Sequence, residues 1–414
     1  MKLDASRPVT ILSNRVDRRY IPHVANFPGG LLRLNIGIGP DNNFTPGFSY
    51  HSYDGGRTWM EVDNLCPRIE WNTVLSDGSY YEVDDYWFQE FDRPGWYWGN
   101  GGFSTGEKDL HHEHIRMHAP SAIPVTLRSM RQPGQPQNPW FDLINKANAR
   151  NPVVSLDTVM LGGAVLTSVI ELESPSHLIS PGYVHARGFK KSVVFLFDSR
   201  DGGRTWEEGP VIMSAEDTPE GADETAMVRL ESGELYVLAR TGALMLQARS
   251  SDLGKTWSVP EPVRLADTGA YITGVWPVIR RLRKGGLVCV YGRPKSTFRS
   301  IEEARHFDYV AEHYGHCGKF VMCDPTGTGR EWQGRIDLHE TEVALQELMG
   351  VPPEQRLRVQ EDTNVRESNS WEYLSLNEIE PDVLLVTYDV QRFRENWNSH
   401  PVQGVRMVRV TVRR

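Results

Sequence analysis

Cysteine is scarce, four in 414 residues. Cys66, Cys289, Cys317 and Cys323 fall at no spacing that would cage a zinc ion. Four are also few for a disulfide scaffold in a chain this long, and reduced thiols are expected. No run of about 18 apolar residues occurs, which excludes a membrane-spanning helix. The opening stretch MKLDASRPVTILSNRVDRR has no apolar core of an export signal, an absence that predicts a cytoplasmic protein. Positive charge is also short: 45 Lys and Arg against 54 Asp and Glu leave a net charge of -9. That balance argues against nucleic acid or an anionic membrane as partner, since both need clustered cations. An acidic ligand would have to meet a local Arg cluster.

What the chain has instead is a repeat. SYDGGRTW at 52–59, SRDGGRTW at 199–206 and SSDLGKTW at 250–257 share Ser-x-Asp-x-Gly-x-Thr-Trp, and residues 324–332 carry a decayed copy. Asp and Gly suit a tight turn, Ser and Asp side chains can bond nearby amides, and the Trp can pack beneath. Strand-like runs precede each copy, GFSYHS, SVVFLF and ALMLQARS, so each unit reads as a small antiparallel sheet. The second and third copies lie 51 residues apart. A propeller blade of about 60–70 residues divides the chain into six. The expected fold is all-β, one six-bladed β-propeller of four-stranded blades over 1–414, with loop or helix insertions around 105–150 and 300–360. PVTILSN near the start and GVRMVRVTVRR at the end are both strand-like, and pairing them would close the ring.

The turn motif resembles the Asp-box, or BNR repeat, of the sialidase (neuraminidase) superfamily, six-bladed propellers that hydrolyse terminal sialic acids. Segments between the turns extend the resemblance. ADETAMVRLESGELYVLARTG is similar to the segment in which a Glu opens one strand and an Arg closes the next, which puts Glu224 and Arg240 in those places. WEYLSLNEIEPDVLLVTYD resembles the strand that carries the family's nucleophilic Tyr, here Tyr373. By this resemblance Glu224 would be the base for Tyr373, and Arg240 would hold a substrate carboxylate. Asp41, in GIGPDNNFTPGFSYHSYDGG, would be the acid/base group, and Arg293, in GVWPVIRRLRKGGLVCVYGRP, another carboxylate-binding Arg. The family's first Arg stands in a Tyr-Arg-Ile-Pro string, whereas RRYIPHV has Tyr20 in that place. Arg18 and Arg19 are adjacent, but strand alternation turns only one of them to the axis. An incomplete clamp implies a substrate other than ordinary sialic acid, because Arg forks supply much of the grip on a carboxylate.

The chemistry is consistent with these residue types. A carboxylate nucleophile would be repelled by a substrate carboxylate beside the anomeric carbon, and a phenol deprotonated by Glu avoids that cost. Each candidate also has a structural reading: Tyr373 as core filler, Glu224 and Asp41 as turn residues, Arg293 as an inter-blade ion pair. Trp276 is either a sugar-stacking platform or a residue buried between blades. HHEHIRMH at 111–118 places His114 and His118 on one helical face beside His112 and Glu113, but lacks the His-Glu-x-x-His pattern, and reads as a polar insertion over the mouth. No metal or cofactor is expected. Three functions remain open: a glycoside hydrolase on a terminal, acidic sugar; a propeller-type lyase on uronate-containing glycans; and a glycan-binding propeller without catalysis.

Overall fold

The structure is a computed structural model that describes residues 1–13, 20–27, 29–38, 45–62, 71–76, 79–83, 87–90, 96–100, 117–118, 153–155, 160–166, 168–186, 189–202, 205–293, 297–305, 318–353, 373–390 and 404–414. It is built almost wholly of antiparallel sheet. The runs VVFLFDS (Val193–Ser199) and LYVLAR (Leu235–Arg240) are rich in β-branched and aromatic residues and buried along nearly their whole length, as strands covered on both faces must be.

Three sheets have the same four-stranded pattern. One runs Tyr20–Asn26, Leu32–Ile38, Thr45–Ser52 and Met60–Val62; the next Asp223–Arg229, Leu235–Arg240, Leu246–Ser250 and Glu261–Pro262; the third Val275–Arg281, Leu287–Arg293, Gly318–Asp324 and Gln333–Asp337. A further sheet joins the two ends of the chain. Leu374–Glu380, Val383–Val390 and Gly404–Arg413 are completed by Lys2–Ala5 and Val9–Ser13, which both pair with Gly404–Arg413. The pairing expected between PVTILSN and GVRMVRVTVRR is therefore present.

Equal four-stranded units do not account for every sheet. Met160–Leu166, Ile170–Glu171, Leu178–Ala186, Val193–Ser199 and Thr205–Ser214 continue through Val153–Ser155 and Trp96–Asn100 to Trp87–Glu90, an eight-stranded sheet. The extension begins where Val153–Ser155 runs parallel to Thr205–Glu207 and covers an edge that four strands would leave open. Of the insertion expected at 105–150, only Met117–His118 lies within the described residues, paired with Ser79 and Tyr80. In the insertion expected at 300–360, helices run from Ile301 to Arg305 and from Leu338 to Leu348.

The repeated octapeptide joins the third strand of a unit to its fourth. In the first copy Asp54 Oδ1 accepts the amides of Arg57 and Thr58, both at 2.9 Å, and Asp54 Oδ2 accepts the Thr58 hydroxyl at 2.6 Å. Ser52 Oγ donates to Asp54 Oδ1 at 2.8 Å and accepts the Gly56 amide at 2.8 Å. Asp252 repeats the arrangement with Thr256 and Ser250, and these bonds hold its carboxyl down at about 2. Glycine is required at the fifth position because Gly56 and Gly254 have φ of +79° and +90°, and a Cβ on Gly254 would collide with Leu196 of the neighbouring sheet. The decayed copy keeps the Asp: Asp324 accepts Thr326 N at 2.7 Å and Arg330 N at 3.1 Å. Its Trp332 is buried and donates to Tyr236 Oη at 3.0 Å, tying one sheet to the next.

Segments of Tyr20–Asn26, Ile170–Glu171, Asp223–Arg229, Val275–Arg281 and Leu374–Glu380 border one cavity of about 420 Å³. These strands each lie at an edge of their sheet or beside it, so several sheets meet at this one cavity.

Candidate active site

Two β-bulges build the site. In the pairing of Asp223–Arg229 with Leu235–Arg240, Asp223 faces Arg240 and Thr225 faces Ala239, leaving Glu224 as the extra residue. In the pairing of Val275–Arg281 with Leu287–Arg293, the register slips by one between Val275 and Val278, around Trp276. Both residues take positive φ, +25° for Glu224 and +49° for Trp276. Such backbone costs on the order of 1–3 kcal/mol at each non-glycine residue, and bulges re-aim side chains. Here the two strained residues meet: Trp276 N donates to Glu224 Oε2 at 2.9 Å.

The other oxygen of Glu224 receives two donors. Tyr373 Oη lies 3.1 Å from Oε1, and Arg240 Nη1 lies 2.9 Å from it. Tyr373 immediately precedes the strand Leu374–Glu380, so the site draws on three sheets. Its ring rests against Trp276 with centroids 4.4 Å apart. Arg240 is clamped from its far side by Glu220, with Nε to Oε2 at 2.8 Å and Nη2 to Oε1 at 2.7 Å. At least three of the five guanidinium N–H groups are thus directed at protein carboxylates. Glu224 is 5% exposed. The result is a buried carboxylate whose plane is fixed on both oxygens and whose one phenolic neighbour is positioned to give up a proton.

Of the residues singled out from the sequence, Glu224, Arg240, Trp276 and Tyr373 are brought together. Tyr20 lies in the strand Tyr20–Asn26 and Arg293 ends the strand Leu287–Arg293. Asp41, Arg18 and Arg19 lie outside the described residues. Of the two readings of Trp276, the buried one describes its ring. It is 3% exposed, with its ring packed on Tyr373, and it contributes its backbone N–H instead. Among the described residues no group of three His, Cys, Asp or Glu is placed to hold a metal ion, and His111, His112, Glu113 and His114 lie outside them.

Sequence reasoning passed over Glu220 and Asp223. The signal was available in PEGADE, three acids within five residues leading into the strand. Asp223 Oδ1 accepts the Glu224 amide at 2.8 Å. Burial, then the charge of Glu224, push the Asp223 carboxyl up to about 7, against the pull of Arg240. A raised carboxyl binds its proton more tightly folded than unfolded, so it lowers stability as pH rises from about 4 to about 7. Asp223→Asn should remove that slope and raise Tm at pH 8 by about 1–4 °C while leaving Tm at pH 4 unchanged. Thermal scans at the two pH values check this, and a parallel loss of stability at both would show that Asp223 holds no such proton.

Comparison with known proteins bears on the fold. Residues 148–344 match the BNR repeat-like domain family. That match spans a little under half of the chain and includes two of the three full copies of the turn motif. No curated protein matches it in sequence. Similar solved structures include a Dyadobacter fermentans protein of unknown function, at 15% identity and TM-score 0.56 with 99% of each chain covered. The phage phi92 endosialidase matches at 11% identity and TM-score 0.53, over 100% of this chain and 70% of its own. Penicillium chrysogenum alpha-L-arabinanase, complexed with arabinobiose, matches at 12% identity and TM-score 0.50 over 98% of both chains. At these identities the likeness concerns the fold, an all-β arrangement with propeller neighbours. Among the described residues no helix is long and apolar enough to cross a membrane.

Proposed function

We propose that this chain is a glycoside hydrolase acting on a terminal, acidic sugar by a retaining mechanism, with Tyr373 as nucleophile and Glu224 as its base. The observation that carries the reading is the 3.1 Å contact between the Tyr373 hydroxyl and Glu224 Oε1, on a carboxylate held by Arg240 and by the Trp276 amide. The phenol oxygen attacks the anomeric carbon, Glu224 takes the phenol proton, and the glycosidic oxygen leaves as an acid protonates it. Asp41 is the proposed acid, by the family resemblance. Water then attacks the tyrosyl–sugar bond, the deprotonated acid takes the water proton, and Glu224 returns its proton to the departing tyrosinate. Because so much of Arg240 is directed at Glu220 and Glu224, its proposed role is to position Glu224, with Arg293 and an Arg beside Tyr20 as the groups left to grip a substrate carboxylate.

The same reading takes residues 1–414 as one six-bladed ring. Sheets converging on a shared cavity, and the two chain ends paired in one sheet, support it.

The test is a panel of aryl glycosides and acidic oligosaccharides, read for reducing sugar and for anomeric configuration by NMR. Release of a sugar that retains its configuration is expected. An unsaturated, ultraviolet-absorbing product would replace hydrolysis with elimination, and saturable binding without turnover would remove catalysis altogether.

A further inference from the structure

The cavity where the sheets meet is lined by positive charge that the reaction does not use. Arg229, Arg280 and Arg281 contribute to its wall, with His23, Asn26, Ser375 and Asn377. The Arg280 guanidinium rests on the carbonyl of Ile279 at 3.1 Å, and that of Arg229 on the carbonyl of Leu172 at 2.9 Å. Both are neutral acceptors. Among the described residues no carboxylate lies within 4.0 Å of any of the three guanidinium groups, although the chain carries a net charge of -9. The acid on the same wall, Glu171, is turned to Ser76, whose amide and hydroxyl donate to it at 2.7 and 2.5 Å.

Withdrawing a guanidinium from water without a counter-charge is costly, and burial pulls the pKa of Arg280 below its ordinary value. A wall of several such groups around about 420 Å³ lowers that cost when an anion enters. Glu224, Arg240, Trp276 and Tyr373 do not line the cavity, although Met227, Val278 and Ser375, two or three residues from them along the chain, do. Counting along the strands, Arg229 lies five residues beyond Glu224 and Arg280 four beyond Trp276, roughly 13–17 Å at the rise of an extended chain.

We propose that this cavity is a second ligand site, one that takes a small oxyanion, the chemistry shared by inorganic phosphate and by the carboxylate of a sugar acid. Planar guanidinium forks suit both, and the Asn and Ser groups on the wall suit the remaining oxygens. The inference does not depend on the hydrolytic reading.

The full chain is titrated with inorganic phosphate and, separately, with glucuronate, by calorimetry and thermal scans at constant ionic strength balanced with chloride. Saturable binding of at least one, with a rise in Tm that chloride does not give, is expected. Arg229→Met and Arg280→Met should each weaken it about tenfold or more, and Arg281→Gln, on an exposed residue, several-fold even where a variant of the two half-buried residues folds poorly. Glu224→Gln should leave it intact. Preference for phosphate identifies an inorganic or phosphoryl ligand and preference for glucuronate a sugar acid. The proposal is overturned if neither anion exceeds chloride, if all three Arg variants bind like the parent, or if Glu224→Gln abolishes binding, since the anion would then sit at the other site.

Discussion

On the proposed mechanism, Tyr373→Phe is expected to lower kcat/KM by about 10³-fold or more and to leave the fold in place. The size follows from removing the attacking atom itself, where even assistance by a positioned base contributes about 10²–10⁴-fold. The variant keeps the ring, so the packing on Trp276 at 4.4 Å survives and loss of activity cannot be laid to collapse. Glu224→Gln is the companion. The carboxylate accepts donors on both oxygens, Tyr373 and Arg240 at one and Trp276 N at the other. An amide must turn its NH2 toward one of those donors, so a stability loss of about 1–3 kcal/mol accompanies the loss of activity. Steady-state kinetics beside thermal scans separates the two effects. Parental turnover in Tyr373→Phe would end the nucleophile assignment.

Glu342→Ala costs about 3–5 kcal/mol, the penalty for removing one member of a buried ion pair. Glu342, on the helix Leu338–Leu348, lies 3.3 Å from Arg406 Nε, and Arg406 is fully buried in the strand Gly404–Arg413. Gln346 and Tyr388 also donate to the carboxylate, at 3.3 and 3.4 Å. The helix is therefore anchored to the terminal sheet through a charge. Denaturant unfolding measures the loss, and Glu342→Leu with Arg406→Met should recover most of it, because apolar replacement of both partners avoids stranding either ion. A loss below about 1 kcal/mol in Glu342→Ala would mean that water reaches the guanidinium.

Much of the fold could be read directly because the turn motif is locally determined. Ser52, Asp54 and Thr58 bond within one octapeptide, so their pattern is a property of neighbouring residues and repeats wherever the same turn is needed. Strand identity was legible for the same reason, in runs such as LYVLAR. The eight-stranded sheet was not, because it depends on a parallel pairing between Val153–Ser155 and Thr205–Glu207 that leaves no periodic signature. In the site, Glu224, Arg240 and Tyr373 could be named from the segments around them, and their meeting spans 149 residues. The use of Trp276 was illegible. An aromatic ring suggests stacking, while the bulge and its positive φ, which turn the backbone N–H to Glu224, are set by packing between sheets. Glu220 and Asp223 were not singled out, because their clustering with Arg240 is made by the fold and not by their immediate neighbours in sequence.

The split strand formed by Lys2–Ala5 and Val9–Ser13 takes its partner from Gly404–Arg413. About 390 residues separate the two, so at a synthesis rate of about 5–20 residues per second the earlier segment waits roughly 20–80 s for its partner to emerge. Until then its sheet edge is open to solvent and to other chains, so this sheet is completed only after nearly all the residues that separate its two parts have been made.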